Sequence, residues 1–372
     1  MVYAIALLTG LIVFACLLPL SRHSYWMVRS MDFPRLQIAT LAFLILIADL
    51  SILNFTQWTS WVLVVSISFC FIWQIWWILP YTLLWPKEVK TTKVSDPDRE
   101  ISILTSNVLT PNRNAEALIN LVRKHKPDVL VTLESDQWWE DQLSVLENEM
   151  PYSVKCPRDN LYGMHVFSRL PLNESTISYL VEDGIPSIHT QIILPMGDSI
   201  RAHFVHPAPP SPTENLESSE RDAELVIIGR SVADSQQPVI VTGDLNDVAW
   251  SASTRLFRKV SGLLDPRVGR GMFNTFHADY FFLRWPLDHL FHSDHFTLKS
   301  IQRLPSIDSD HFALFTRLVY VPTAQEEQEG LESEISDQEW ADDIVKEEGV
   351  SKDEVPKFCL QDKQKRKLLS FI

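Results

Sequence analysis

Asn107, Glu134, His206, Asp244, Asn246, Asp288, Asp310 and His311 share one property: each stands where an apolar run of the chain begins or ends. Asn107 follows residues 101–106, Glu134 follows 129–133, His206 follows 200–205, and Asp244 and Asn246 follow 239–242. Asp288 stands at the start of 287–291, and Asp310 with His311 at the start of the last such run. If these runs are strands, their polar ends converge on one rim, the way a rigid scaffold presents reactive groups. Carboxylates and an amide are hard oxygen ligands suited to Mg²⁺. Histidines serve as donors to phosphate oxygens or as general acids and bases. Taken singly, each residue has a plainer reading. Glu134 alone is a solvated strand end, Gly243-Asp244-Leu245-Asn246 alone is a turn, and His311 alone is a satisfied core or surface histidine. The order and the set carry the weight.

The elements that must position these groups can be read from patterning. Strands are expected at 101–108, 129–133, 164–168, 189–194, 200–205, 239–242, 287–291, 297–304 and 312–320. Helices are expected at 115–124, 216–233 and 251–260, the last capped by Ser251. Many strands with few helices fit an α/β sandwich better than a doubly wound parallel sheet. This domain occupies residues 100–322, after a linker at 86–99.

Residues 1–85 read as a membrane anchor. Spans are expected at about 3–20, 36–54 and 60–84, each near the roughly 20 apolar residues a helix needs to cross a bilayer. No Lys or Arg precedes Leu7, so the first span lacks the basic start of a signal peptide. Trp58, Trp61, Trp76, Trp77 and Trp85 cluster near the span ends, as interfacial aromatics do. Arg22, Arg29 and Arg35 fill the first loop, and Lys87, Lys90 and Lys93 follow the third span. The positive-inside rule then places the catalytic domain in the cytoplasm and the N-terminus outside. Asp49, late in the second span, reads as a group near the interface or hydrogen-bonded between helices.

The net charge of -14 excludes a generic nucleic-acid coat, which needs a basic face. Much of that charge lies in residues 323–372, read as an acidic, disordered tail with a short helix near 340–346 and a basic patch at 363–367. The four cysteines have no metal-site or redox spacing.

In order along the chain stand Ser106-Asn107-Val108, Lys126-Pro127-Asp128-Val129-Leu130, Glu134, Tyr162-Gly163 and Ser168-Arg169-Leu170-Pro171-Leu172. His206-Pro207, Gly243-Asp244-Leu245-Asn246-Asp247, Leu287-Asp288-His289 and Ser309-Asp310-His311-Phe312 follow. This set resembles the endonuclease/exonuclease/phosphatase superfamily, and with three spans ahead of it, the bacterial membrane-anchored branch. The resemblance implies a four-layer α/β/β/α sandwich, a hydrolase of phosphate esters, and Mg²⁺ or Mn²⁺ as cofactor. It implies Glu134 as the principal metal ligand, with Asn107 and Asp310 close to the ion. Asp244 and Asn246 would orient and activate water. His311, paired with Asp288, would bind phosphoryl oxygens, and His206 would stabilise the scissile phosphate or leaving group. Leu109 stands where DNA-repair relatives often carry an acid, so Asn112 is a substitute candidate. The loop from His206 through Pro210 reads as a substrate wall, and Trp138 and Trp139 as either a stacking surface or packing.

Three functions compete. A nuclease or other phosphodiesterase acting on nucleic acid is the superfamily default, with Arg158, Arg169, Arg221, Arg267, Arg270 and Arg284 as its basic surface. A phospholipid or head-group phosphodiesterase or phosphatase would gain local substrate from the bilayer. A membrane scaffold has no need of the full set of reactive residues. The expected setting is an integral protein of the bacterial inner membrane.

Overall fold

The computed structural model describes residues 2–93, 96–233 and 235–358. Helix α1 (Val2–Leu17) leads to a short α2 (Trp26–Arg29), then α3 (Arg35–Ile52) and α4 (Trp58–Ile78). With flanking turns, the three long helices make candidate membrane spans at Val2–Ser21, Arg35–Ile52 and Trp58–Tyr81. They meet through Ile12, Cys16, Ala42, Ile67 and Cys70, where small residues let the backbones approach. Asp49 is fully buried rather than interfacial, and neither of its oxygens has a hydrogen-bond partner among the described residues.

The strands in chain order are β1 (Glu100–Asn107), β2 (Val129–Leu133), β3 (Tyr152–Cys156), β4 (Met164–Ser168), β5 (Leu172–Ser178) and β6 (Ser187–Ile193). Then come β7 (Ser199–Val205), β8 (Val239–Asp244), β9 (Asp288–His292), β10 (Phe296–Arg303) and β11 (Leu314–Tyr320). They form two sheets, β10-β11-β1-β2-β4-β3 and β5-β6-β7-β8-β9. The core between them is built from side chains such as Ile103, Val131, Val166, Ile188, Phe204 and Ile240. A hydrogen bond of 3.0 Å between the Thr105 and Thr242 hydroxyls ties the two central strands together across that core.

Helices cover both outer faces. Leu118 and Val122 of α5 (Ala115–His125), with Trp139 and Leu143 of α6 (Gln137–Leu143), sit on Leu104, Leu130 and Phe315 of the first sheet. Trp139 is therefore core, and Trp138 lies under the Arg113 guanidinium at 4.7 Å, so packing is the role of that pair. The second sheet is covered by Leu225 and Ile228 of α7 (Ser219–Val232) and Phe257 of α8 (Ala252–Ser261). Ser251 caps α8 by accepting from the Thr254 amide at 3.0 Å. The layers are thus α/β/β/α.

Two expectations are corrected. The segment read as a disordered tail folds back: α9 (Ile335–Glu348) buries Ala341 and Ile344 against Ala223, Val226, Leu256 and Val260 of α7 and α8. Glu339, Asp342, Asp343 and Glu347 occupy the wet face, Asp337 is buried against Lys259 at 2.7 Å, and Ala341 and Ile344 repeat at helical spacing. The basic patch at 363–367 lies outside the described residues. The linker is also docked, with Val89 in the main core, the Thr92 amide donating to Leu298 O at 2.9 Å, and Glu88 accepting from Arg258 at 2.5 Å.

Candidate active site

Strand pairing builds the rim. β1 and β2 run parallel with Asn107 opposite Leu133, so Asn107 and Glu134 finish together. β7 and β8 also run parallel with Val205 opposite Gly243, which brings His206 beside Asp244. Asp288 is the direct antiparallel partner of Asp244. Gly243 makes this possible: at φ 155° its position would put a Cβ 1.8 Å from Val205 O, so no other residue lets β8 lie that close to β7. Glu134 and Asn246 both hold left-handed φ values, 56° and 51°. Such conformations cost non-glycine residues about 1–3 kcal/mol and persist only where the surroundings fix them. Thr110 fixes the first by donating to Glu134 O at 2.7 Å. Arg221 fixes the second by donating to Asn246 O at 2.9 Å, while Asn246 Nδ2 donates to Pro207 O at 3.0 Å.

The side chains then meet. Asn107 Nδ2 donates to Glu134 Oε1 at 2.7 Å and lies 3.2 Å from Asp244 Oδ2. His311 Nδ1 donates to Asp288 Oδ2 at 2.7 Å, and His311 Nε2 lies 3.5 Å from Asp244 Oδ2. His206 Nε2 stands 4.0 Å from the same oxygen, and Asn246 N donates to Asp244 Oδ1 at 2.9 Å. Ser309 Oγ donates to Asn107 O at 2.8 Å and fixes the Asp310–His311 turn to the end of β1. Burial pushes Glu134 up to about 7. Burial alone would depress His311, but the Asp288 and Asp244 carboxylates override it and lift the imidazole to about 10. Asp244 is held below the ordinary carboxylate range because His311 and His206 outweigh its burial. Burial drives His206 down to about 4 despite Asp244, so it is neutral at pH 7 and its contact with Asp244 is no ion pair.

This chain matches the endonuclease/exonuclease/phosphatase family over residues 104–311. That is more than half of the chain. The chain belongs to this family. Comparison with curated proteins finds no match. Among solved structures, a D. rerio TDP2 humanized by 14 mutations is similar at 17% identity, covering 59% of this chain and 99% of that one with a TM-score of 0.50. The D. rerio TDP2 complexed with a single-strand DNA product gives 17%, 59%, 98% and 0.50. The human nocturnin catalytic domain with bound sulfate gives 16%, 61%, 96% and 0.50. At such identities the likeness speaks to fold.

The chemistry of the donor set in this family member fits a divalent cation. Glu134 Oε2 is buried without a hydrogen-bond partner among the described residues, which is costly for a carboxylate unless a cation meets it. Asp310 lines the same cleft as Glu134. A second trio, Asp244, Asp288 and His311, has ligand atoms within 4.8 Å of one another. There His311 Nδ1 and Asp288 Oδ2 already satisfy each other, so a cation would have to break their bond. Glu134 is the better holder. Asn112 is not brought to the rim: its Nδ2 donates to Val108 O and Ile307 O and pins the loop.

The cleft has a volume of about 560 Å³. Pro209 and Pro210 form one wall, as the stiffness of that loop suggests. Tyr162, part of the motif set but given no role there, and two aromatic or apolar walls that the sequence did not single out also line the cleft. Tyr162 stacks near His206, with ring centroids 5.2 Å apart, and its hydroxyl donates to Glu214. Phe276 and Trp285 supply an aromatic wall, and Met31 and Phe33 arrive from the loop before the second span. The signal for Met31, Phe33, Phe276 and Trp285 lay only in their apolar character, which points equally to a core. Of the arginines read as basic surface, Arg221 is buried against Asp222 and Asp247, and Arg267 against Asp265. Among the described residues, no Lys or Arg lines the cleft. His203 turns away from the site and meets His189 at 2.6 Å.

Proposed function

We propose that this chain is a membrane-tethered, divalent-metal-dependent hydrolase of phosphate esters. The observation that carries the reading is the unpartnered Glu134 carboxylate oxygen, buried beside Asn107, Asp244 and a cationic His311 in one cleft. Glu134, Asn107 and Asp310 would hold Mg²⁺ or Mn²⁺, which supplies Lewis-acid stabilisation of charge on phosphate oxygens. Asp244 stays ionised and accepts the proton of the attacking water, which Asn246 helps to orient. His311 donates Nε2–H to a phosphoryl oxygen while Asp288 fixes its ring through Nδ1. Neutral His206 donates to the phosphate or the leaving oxygen. The three apolar helices support anchoring in a cell membrane, and the Arg29–Arg35 and Lys87–Lys93 charges favour the cytoplasmic side for the domain. Family custom leans toward nucleic acid. The lack of Lys or Arg in the cleft weighs against a polyanion, whose binding rests on such charges.

The test uses the full chain in detergent micelles with Mg²⁺ or Mn²⁺ and bis(p-nitrophenyl) phosphate. Chelation is expected to abolish turnover, and Glu134→Ala and His311→Ala each to lower kcat by roughly 10²–10⁴-fold with circular dichroism unchanged. Turnover that survives in both variants would sink the assignment.

A further inference from the structure

The catalytic cleft and the membrane segment are built into one another. Ser30, Met31, Phe33 and Pro34 line the cleft, and the second span begins at Arg35. Phe33 meets Trp285 edge to face at 5.7 Å. Between Phe276 and Trp285 the chain makes a hairpin whose tip exposes Tyr280, Phe281 and Phe282 at 51%, 78% and 57%. That tip is tied to the first turn of the second candidate span, where Gln37 Nε2 donates to Phe282 O at 2.8 Å. Aromatics so exposed are at home in the interfacial layer of a bilayer. Leu283, next in the hairpin, points the apolar lining onward into the cleft. With the three candidate spans in a bilayer, the rim of the cleft would lie at its surface with an apolar side toward it, while the other end carries Glu134, Asp244 and His311.

We propose that the substrate is a membrane phospholipid, hydrolysed while its acyl chains remain in or against the bilayer. This rests on the phosphate-ester hydrolase reading of the same site. A polar headgroup ester free in water would leave the walls of Met31, Phe33, Leu283 and Trp285 without a partner. A nucleic-acid strand would find, among the described lining residues, no Lys or Arg for the phosphates that flank the scissile one, and Glu214 at the wall. A phospholipid brings one phosphoester and an apolar body to a site with one polar end and apolar walls. Water oxygen bonds to phosphorus as one phosphorus–oxygen ester bond breaks. One proton of the water passes to Asp244 and returns through solvent to the departing alkoxide, so one lipid and one water yield an alcohol and a phosphate monoester with Asp244 ionised again. The hairpin and the 30–34 loop hold the substrate at headgroup depth.

The test uses the full chain reconstituted, with Mg²⁺ or Mn²⁺, into vesicles of phosphatidylethanolamine, phosphatidylglycerol and cardiolipin. Phosphate-ester products are measured beside four soluble probes: glycerophosphoethanolamine, glycerophosphoglycerol, a single-stranded oligonucleotide and bis(p-nitrophenyl) phosphate. One of the phospholipids is expected to be cleaved, with kcat/KM at least about tenfold above its acyl-free counterpart, the factor that burying one apolar side chain's worth of surface supplies. The double variant Phe33→Ser, Leu283→Ser is expected to lower the ratio of lipid to bis(p-nitrophenyl) phosphate turnover by a similar factor. Should that ratio stay fixed, or should the oligonucleotide or an acyl-free ester be the better substrate, the lipid assignment falls. It falls equally if bis(p-nitrophenyl) phosphate is turned over and no phospholipid is. If nothing is turned over, the hydrolase reading itself falls and this inference with it.

Discussion

His311 is the residue whose chemistry depends most on one neighbour. Its imidazole is buried, and burial alone would strip its proton. The 2.7 Å bond from Nδ1 to Asp288 keeps it charged and aims Nε2 toward Asp244, 3.5 Å away. Asp288→Asn keeps the shape and removes the countercharge. The expected result is a fall in kcat on bis(p-nitrophenyl) phosphate of roughly 10²–10⁴-fold with little change in fold, as when an orienting carboxylate is lost from a histidine. A kcat within about threefold of the parent, at unchanged metal affinity, would show that Asp288 does not govern the histidine. At this scale the sequence was informative because strand ends are local events. Asn107, Glu134, Asp244 and Asp288 each follow from where an apolar run starts or stops. Asn112 misled because its amide satisfies two loop carbonyls, Val108 O and Ile307 O. Choosing between a loop carbonyl and a metal requires the position of residue 307, which no local pattern supplies.

At the scale of elements, the strand pair β6–β7 carries a pH liability. His189 and His203 are direct partners in register, fully buried, and share a hydrogen bond between their Nδ1 atoms. One ring must donate and the other accept, so the accepting ring is neutral. Burial pushes His189 down to about 3 and His203 well below its ordinary value. Both folded values lie under the unfolded value of about 6.5, so the unfolded chain binds the extra protons. The pair therefore costs nothing above about pH 6.5 and destabilises the fold progressively as pH falls from there toward 3. Denaturant titrations in micelles across that range should show a shallower acid slope for His189→Gln, His203→Leu than for the parent, whatever the offset between them at pH 7. Parallel slopes would mean that the pair is protonated in the fold. Patterning gave these central strands readily, since buried β-branched runs stand out. It missed β3 and β5, one edge strand of each sheet, whose sequences Tyr-Ser-Val-Lys-Cys and Leu-Asn-Glu-Ser-Thr-Ile-Ser lack an apolar run because they face water.

In the whole molecule, anchor and catalytic domain do not behave as a tether and a passenger. Trp250 Nε1 donates to Asp32 O at 2.8 Å, and Tyr81 OH donates to Ala249 O at 2.6 Å. Ile78 and Tyr81 share a buried cluster with Val248, Ala249, Trp250 and Leu287. Arg29, from the first loop, reaches Asp222 at 3.3 Å, and Asp222 in turn holds the Arg221 that fixes Asn246. Sequence reading drew a boundary at residues 86–99 because composition changes there, but composition reports on solvent and not on docking. Cutting at that boundary should therefore damage the part that remains. A chain lacking residues 1–94 would expose Trp250 and its neighbours, lose Val89 from the main core, and leave Arg221 with one fewer link in its ion-pair chain. Removing buried aromatic and aliphatic partners of this kind costs about 2–5 kcal/mol per large side chain. The expected outcome is aggregation on expression, or a monomer with a thermal midpoint well below that of the full chain in micelles and reduced kcat on the soluble ester. A monodisperse fragment with an unchanged midpoint and unchanged kcat would mean that the domain interface contributes neither stability nor positioning, and that the loop before the second span only happens to lie beside the cleft.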